Sequence, residues 1–241
     1  MILSLALHDC SYGYRRNDLV LDRLSLRFPA GITLLLGPNG AGKSTLLGIS
    51  ASALSPSRGS VNYNGLDPAV RRDRAAFRQA VAWMPQQINP IPGLTVQEQV
   101  TYMGWLKGLT REDARRKSAN ALEAVDLTPL AGRRSHELSG GQLRRMGLAQ
   151  ALVHAAQVVL MDEPTAGLDP TQRETFRELV RRISVNTQVV ISTHQIEDIN
   201  ELYESVIVLD RGQVRFHGTT NEFLRADDAV SAYRRLVSGD V

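Results

Sequence analysis

The 241-residue chain has a single cysteine, only three lysines and no apolar run near the length of a membrane-spanning helix. One cysteine, Cys10, excludes an internal disulfide and suits a reducing compartment. It reads as buried strand filler. Crossing a bilayer takes about 18 to 20 consecutive apolar residues, so the chain is not expected to span one. None of Lys43, Lys107 and Lys117 follows an asparagine, which excludes the Asn-Lys-x-Asp base-reading motif of guanine nucleotide switches. Charge of one sign is also scarce: 28 basic residues are scattered among 25 acids, for a net +3. Such a balance offers nucleic acid no electrostatic footprint. Met1 to Leu7 is apolar but lacks a basic flank and runs into His8-Asp9, so a first strand is expected there and a signal peptide is not. No internal repeat, low-complexity tract or long linker is visible. With 43% hydrophobic and 22% charged residues, the composition is globular, enough for one large domain or a core with an inserted subdomain.

What is present is organised around Gly37-Pro38-Asn39-Gly40-Ala41-Gly42-Lys43-Ser44. This stretch fits G-x-x-x-x-G-K-[ST], follows the apolar run Ile32 to Leu36 and opens into Thr45-Leu46-Leu47-Gly48-Ile49. It therefore sits where a buried strand gives way to a helix, the context that a phosphate cradle requires. Glycines let backbone N–H groups turn inward without a Cβ, and the helix N-terminus adds positive potential. Lys43 is placed to reach β and γ phosphates, and the Ser44 hydroxyl to ligate Mg²⁺.

Periodicity supplies the frame around that loop. Alternation predicts strands over residues 2 to 10 and over Leu24 to Phe28, an antiparallel patch ahead of the central strand. A helix is expected from Lys43 to about Ser52, a short strand at Ser60 to Tyr63, and a solvated helix or loop face over the basic segment Arg71 to Arg78. Val81 to Met84 is a strand ended by Pro85-Gln86. From Thr95 to about His154 the chain reads as helices only, with capping boxes at Thr95–Glu98 and Ser139–Gln142 and a weaker one at Thr110–Asp113. Strands return at Gln157 to Met161, Gln188 to Ser192 and Ser205 to Leu209, with helices at about Thr171 to Ser184 and Ile196 to Leu202 between them. Arg211-Gly212 reads as a hairpin turn into Val214-Arg215-Phe216, before a closing helix. Strands alternating with helices predict a mainly parallel α/β sheet.

A second carrier of chemistry is Val158-Val159-Leu160-Met161-Asp162-Glu163. An apolar strand delivers two carboxylates at its C-terminal end, where ligands collect in open α/β sheets. Adjacent strand side chains point to opposite sides, so the two should differ in role. One can hold Mg²⁺, directly or through water, while the other faces a γ phosphate and a nucleophilic water.

Leu138-Ser139-Gly140-Gly141-Gln142 is the signature motif of the ATP-binding cassette family, which the chain resembles from about Leu3 to Gly218. Its physics is legible too, because Ser139 caps a helix whose N-terminus and glycine amides form a second anion site. The resemblance implies a P-loop NTPase core of α/β class with a mainly parallel sheet, an N-terminal antiparallel β subdomain and an inserted α-helical subdomain. The division expected is 1–86 with 155–241 for the ATP-binding core and 87–154 for the insert. It implies ATP and Mg²⁺ as cofactors, with Gly37, Pro38, Asn39, Gly40, Ala41, Gly42, Lys43, Ser44 and Thr45 around the phosphates. Ser44, Gln86 and Asp162 would serve the metal, and Glu163 the attacking water.

Further roles are carried over in the same way. Tyr14 matches the aromatic that stacks on adenine, with Tyr12, or a merely packed tyrosine, as alternatives. Gln86 matches the glutamine coupling Mg²⁺ and water to the helical subdomain, and His194 the switch histidine at the γ phosphate. Asp169 in Gly167-Leu168-Asp169 looks like the loop that crosses to a second subunit, and before Pro170 it is equally a helix cap. Departures are few: Ala149-Gln150-Ala151-Leu152 replaces the commoner Ala-Arg-Ala-Leu, and Met161 replaces a leucine. About fifty residues between Gln86 and Leu138 leave no room for the long coiled coil of DNA-repair relatives. The segment Tyr102 to Thr110 and Leu122 to Leu127 are similar to cassettes of bacterial exporters with separate membrane subunits. An importer cassette and a regulatory or pure binding module are the alternatives. The expectation is an ATPase that dimerises around two ATP molecules at the cytoplasmic face of the membrane, with permease subunits and no nucleic acid as partners.

Overall fold

A computed structural model describes residues 4–15, 18–196, 199–224 and 229–238. Met1 to Leu3 of the expected first strand lie outside that range. The first layer is an antiparallel sheet of β1 (Leu5–Arg15), β2 (Asp18–Arg27) and β4 (Arg58–Tyr63) in the order β2-β1-β4. Both early strands are longer than alternation predicts. The register shifts between Leu7 and Cys10 and again beyond it, and Asp9 and Arg23 take φ of 51° and 48°. Such bulges break the period-2 signal while pairing continues. Cys10 is fully buried, as expected.

The second layer is the sheet β5-β6-β7-β3-β8-β9. In it β3 (Ile32–Leu36), β5 (Val81–Met84), β6 (Val158–Asp162), β7 (Gln188–Thr193) and β8 (Ser205–Asp210) run parallel, and β9 (Gln213–Thr219) returns antiparallel. Every residue of β3 and β6 is buried, which is what strands covered on both faces need. Leu35, Leu160 and Val190 face α1 (Lys43–Ser50) and the antiparallel sheet, in one apolar cluster with Leu5, Leu46 and Leu47. Leu34, Leu36, Val159 and Met161 face the other way, into a cluster shared with the helices α5 (Gly140–Leu152) and α6 (Pro170–Ser184).

Between β4 and β5 runs α2 (Arg74–Ala80), whose one buried side chain is Phe77. The expected helices come next as α3 (Val96–Leu106), α4 (Arg111–Ala124) and α5. Thr95 and Ser139 form complete capping boxes with Glu98 and Gln142, whereas Thr110 makes half of one, accepting from Asp113 N at 3.1 Å. Val96, Val100, Leu122 and Met146 sit in the same apolar cluster as Val159 and Met161, so the three helices share a core with the sheet. They are also tied to α2. Lys107 Nζ donates to Arg78 O at 2.9 Å, and His154 Nδ1 donates to Gln79 O at 2.9 Å. An ammonium and a neutral imidazole N–H thereby satisfy carbonyls at the end of α2, where the helix dipole favours the charge on Lys107.

The helix expected from Ile196 to Leu202 is a correction. Ile196 is in a 3-10 turn, residues 197 and 198 lie outside the described range, Ile199 is irregular, Asn200 is a bend and 201–202 are a turn. Asn200 Oδ1 accepts from Leu202 N at 2.9 Å, a side-chain bond that competes with helix formation. At the tip of the β8–β9 hairpin, Arg211 and Gly212 take φ of 47° and 73°, the turn that matches strand twist. The chain then closes with α7 (Thr220–Leu224) and α8 (Ala229–Ser238).

Candidate functional site

Sheet order puts four strand ends side by side. The C-terminal ends of β5, β6, β7 and β3 lead to Gln86, to Asp162-Glu163, to His194 and to the Gly37–Lys43 loop. Sequence neighbours they are not, yet parallel pairing aims all four at one edge, the ligand edge of such sheets. A cleft of about 450 Å³ opens there, lined by Tyr14, Val20, Asn39 to Thr45, Gln86 and Glu163.

The loop conformation depends on glycine at Gly42, which takes φ of 101° as the cap of α1. No side chain caps that helix, so its first N–H groups stay available to an anion. Lys43 is 6% exposed, and its Nζ donates to Gly37 O at 2.8 Å and Pro38 O at 3.1 Å, with Glu163 Oε1 at 3.6 Å. Burial lowers the Lys43 ammonium below its ordinary pKa, against the opposing pull of Glu163 and Asp162. A cation so held is better served by a phosphate than by its own loop carbonyls.

The acidic pair divides more sharply than strand alternation implies. Asp162 is the last residue of β6 and buried, and it accepts from Ser192 Oγ at 2.7 Å. Glu163 has left the strand with φ of 46°, its N–H donating to Ser192 Oγ at 3.0 Å. That turn swings its carboxylate to Lys43 and to His194 Nδ1, at 2.8 Å from Oε2. The strand runs one residue further than expected, to Asp162, and alternation does not carry on to Glu163 because the backbone takes a positive φ there. Ser192 is a residue sequence reasoning passed over, although a hydroxyl in register with Asp162 is what a buried carboxylate needs.

Tyr14 is 66% exposed beside the cleft, its hydroxyl 3.2 Å from Thr45 Oγ1 and its ring edge-on to Tyr12 at 5.2 Å. Ser44 and Gln86 bring a hydroxyl and an amide oxygen to the same cleft, and the buried Asp162 at the end of β6 acts electrostatically on its Lys43. That sparse oxygen set fits Mg²⁺, which keeps several waters and takes one or two protein oxygens beside phosphates. Among the described residues no cluster of three or more His, Cys, Asp or Glu competes for a metal.

Ser139, Gly141 and Gln142 are not brought to this cleft. They line a separate hollow of about 190 Å³ with Leu168 and Gln172. Asp169 caps α6, accepting from Gln172 N at 2.9 Å, and lines neither hollow. Leu138 packs against the main apolar cluster. The β8–β9 hairpin, which sequence reasoning left out of the site, braces the cradle from behind. Gly212 N donates to Ala41 O at 2.9 Å, and a β-carbon on Gly37 would stand 2.2 Å from Leu209 O.

The family model for ABC transporter matches residues 21–166, from β2 through the cradle and the signature to the acidic pair. The linearmycin resistance ATP-binding protein LnrL of Bacillus subtilis is 33% identical over 206 residues, 85% of this chain and 66% of that protein. The daunorubicin/doxorubicin resistance ATP-binding protein DrrA of Streptomyces peucetius is 33% identical over 204 residues, 84% of this chain and 61% of that one. The chain thus spans somewhat less than two-thirds of the length of these relatives. Among solved structures, a dimeric bacterial ABC transporter cassette is 26% identical with a TM-score of 0.78, covering 90% of this chain and 98% of its own. Among the described residues no helix is long and apolar enough to cross a membrane. With its cradle and acidic pair joined at one sheet edge and its signature helix set apart, the chain belongs to the ABC transporter family, as an ATP-binding cassette.

Proposed function

We propose that the chain is the ATP-hydrolysing subunit of an ABC transporter. It works as a dimer at the cytoplasmic face of the membrane, driving export through separate membrane subunits. The observation that carries this reading is the gathering of Lys43, Ser44, Gln86, Glu163 and Tyr14 on one cleft while Ser139 lines another. A complete site then needs the signature helix of a second copy. Residues 1–86 with 155–241 form the ATP-binding core in this reading, and 87–154 the insert that meets the permease.

In the proposed reaction Lys43 leaves the carbonyls of Gly37 and Pro38 for the β and γ phosphates, and Tyr14 stacks on adenine. Glu163 accepts the proton of the attacking water, and His194 holds the Glu163 carboxylate in place while reaching the γ phosphate. Ser44 and Gln86 would hold Mg²⁺, with Asp162 acting through water, and the ion would supply neutralisation of phosphate charge. Positioning and charge stabilisation carry most of phosphoryl transfer. The resistance proteins among its relatives support export as the direction.

A groove of about 540 Å³ supports a membrane-subunit partner. Leu94, Thr95, Tyr102 and Trp105 line it, and the two aromatic rings stack at 5.9 Å. Trp105 is 56% exposed, apolar area suited to a permease segment. Phosphate release by the purified chain with ATP and Mg²⁺ tests the proposal. Release above the background of Lys43→Ala supports it, and release equal to that background rejects it.

A further inference from the structure

The helix that begins with the signature motif is fastened to the segment that carries Gln86. Arg144, one and a half turns into α5, donates from its guanidinium to the backbone carbonyl of Gln86. Gly147, three residues on and therefore on the same helix stripe, leaves the space that Ile88 fills. A β-carbon at Gly147 would come within 2.6 Å of Ile88 Cδ1 and 3.2 Å of Met84 Cε. Gln86, in a bend just beyond β5, and Ile88 lie two residues apart, so two points on one stripe of α5 meet two points on one segment. One contact is polar and one is apolar. Two attachments fix direction as well as distance, whereas a single hydrogen bond would leave a pivot.

Both ends of this assembly matter to the proposed reaction. Gln86 lines the cleft with Lys43 and Glu163, while Ser139, Gly141 and Gln142 line the separate hollow with Gln172. The carbonyl is well chosen as a handle, because holding the backbone of Gln86 leaves its side-chain amide free for the nucleotide. Ile88 is 8% exposed, so its seat is dry. Burial lowers the pKa of Arg144, as expected of a cation held by protein rather than by solvent. Neighbouring Arg145 turns away and donates to the Asp126 carbonyl at 3.1 Å, which ties the same helix to the end of α4.

We propose that Arg144, with the Gly147 seat for Ile88, is a positioning device that transmits nucleotide contact at Gln86 to the signature motif. It sets how Ser139 is presented to a second cassette. This rests on the ATPase-dimer reading above and deepens it. Arg144 touches neither nucleotide nor water, so its removal should spare ATP binding by the single subunit and weaken dimerisation and turnover.

The test uses the full chain and three variants, Arg144→Met, Arg144→Lys and Gln86→Ala, with the double variant Gln86→Ala/Arg144→Met. Titration with ATP under conditions that keep the chain monomeric should give Arg144→Met a Kd within about twofold of the wild type. Its ATP-dependent dimerisation and kcat should fall by about tenfold or more at an unchanged melting temperature. Arg144→Lys keeps a donor on a long stem and should recover part of the loss. The double variant should be no slower than Gln86→Ala alone, since a residue acting through Gln86 has nothing left to act on. A merely structural role would lower the melting temperature and add its cost to that of Gln86→Ala. Additive losses, or an Arg144→Met protein with wild-type kcat and dimerisation, overturn the proposal while leaving the ATPase reading intact. A wild-type chain that neither hydrolyses ATP nor dimerises overturns both. If Arg144→Met does not fold, Ile88→Val thins the second attachment from the other side, and wild-type ATP-dependent dimerisation and kcat in that variant overturn the proposal.

Discussion

His194 Nδ1 lies 2.8 Å from Glu163 Oε2, joining the residue after β7 to the residue after β6. On its other side Glu163 Oε1 is 3.6 Å from Lys43 Nζ. A carboxylate held between an imidazole and an ammonium has a fixed direction, which a general base needs before its substrate arrives. The arrangement predicts an asymmetry in how the site fails. Glu163→Gln keeps the size and an acceptor oxygen for His194 but cannot take a proton. Turnover should drop by roughly 10²- to 10⁴-fold with ATP affinity retained, and an ATP-bound dimer should accumulate. Sizing with and without ATP checks this, and wild-type turnover in the variant would sink the assignment.

Adenine recognition should depend on the Tyr14 ring and not on its hydroxyl. Tyr14→Ala removes a stacking face worth on the order of 1 to 3 kcal/mol, so ATP binding should weaken about tenfold or more. Tyr14→Trp and Tyr14→Phe should bind normally, the second having lost only the contact with Thr45. A larger effect from Tyr12→Ala would move the stacking role to the ring that stands edge-on behind Tyr14.

His154 gives the fold a pH dependence of its own. It is 2% exposed, Lys107 and Lys117 disfavour a further positive charge, and Nε2 has no partner. Burial comes first among the causes that hold its pKa at about 4 instead of 6.5. Between those values the unfolded chain binds the proton and the native one does not. Stability from this group is therefore complete above pH 6.5 and is lost as pH falls towards 4, to the extent of about 3 kcal/mol. Urea midpoints at pH 7.5, 6 and 5 should fall more steeply for the wild type than for His154→Gln. Parallel slopes would refute the account.

A composite site can be tested with a cleaner lesion than the second glycine of the signature. A β-carbon on Gly141 would meet the Gln172 side chain of its own chain at 2.9 Å, so Gly141→Asp disturbs folding and phosphate together. Gly140 has open space around it, and an acid in the first turn does not oppose the helix dipole. Gly140→Asp should therefore fold normally and repel the γ phosphate. In purified mixed dimers, Lys43→Ala in one subunit and Gly140→Asp in the other places both lesions in one shared site. Both changes in a single subunit, opposite a wild-type partner, spoil two. The split arrangement should be more active, and the reverse order would contradict sharing.

The permease should meet the insert near the stacked pair of Tyr102 and Trp105. Crosslinks from the membrane subunit are expected between residues 87 and 105, and Trp105→Glu should uncouple transport while sparing basal phosphate release. Crosslinks confined to α7 and α8 would place the contact elsewhere.

Much of this was legible in the sequence because the signals are local. The strand Ile32–Leu36, the cradle, and the caps at Thr95, Ser139 and Asp169 each carry their physics within a few residues. What was not legible is long-range or chiral. Ser192 lies thirty positions from Asp162 and meets it only through the β6–β7 register. The handedness of Glu163 leaves no mark on hydrophobic pattern. The early bulges in β1 and β2 disguise alternation, and Asn200 diverts to a turn a stretch whose spacing alone suits a helix.

The brace behind the cradle gives the mutational landscape of this chain an unexpected peak. A β-carbon on Gly212 would lie 2.0 Å from Val20 O, while the Gly212 amide holds Ala41 O, so the hairpin tip is wedged between the antiparallel sheet and the phosphate loop. Its φ of 73° disfavours other residues as well. In a library of single replacements scored by function, Gly212 should be as intolerant as the glycines that cradle phosphate, while Arg211 beside it, at φ of 47°, should accept Gly, Asn and Asp and reject β-branched residues. The cost would surface as a poorly formed anion pocket, far along the chain from the residue that was changed.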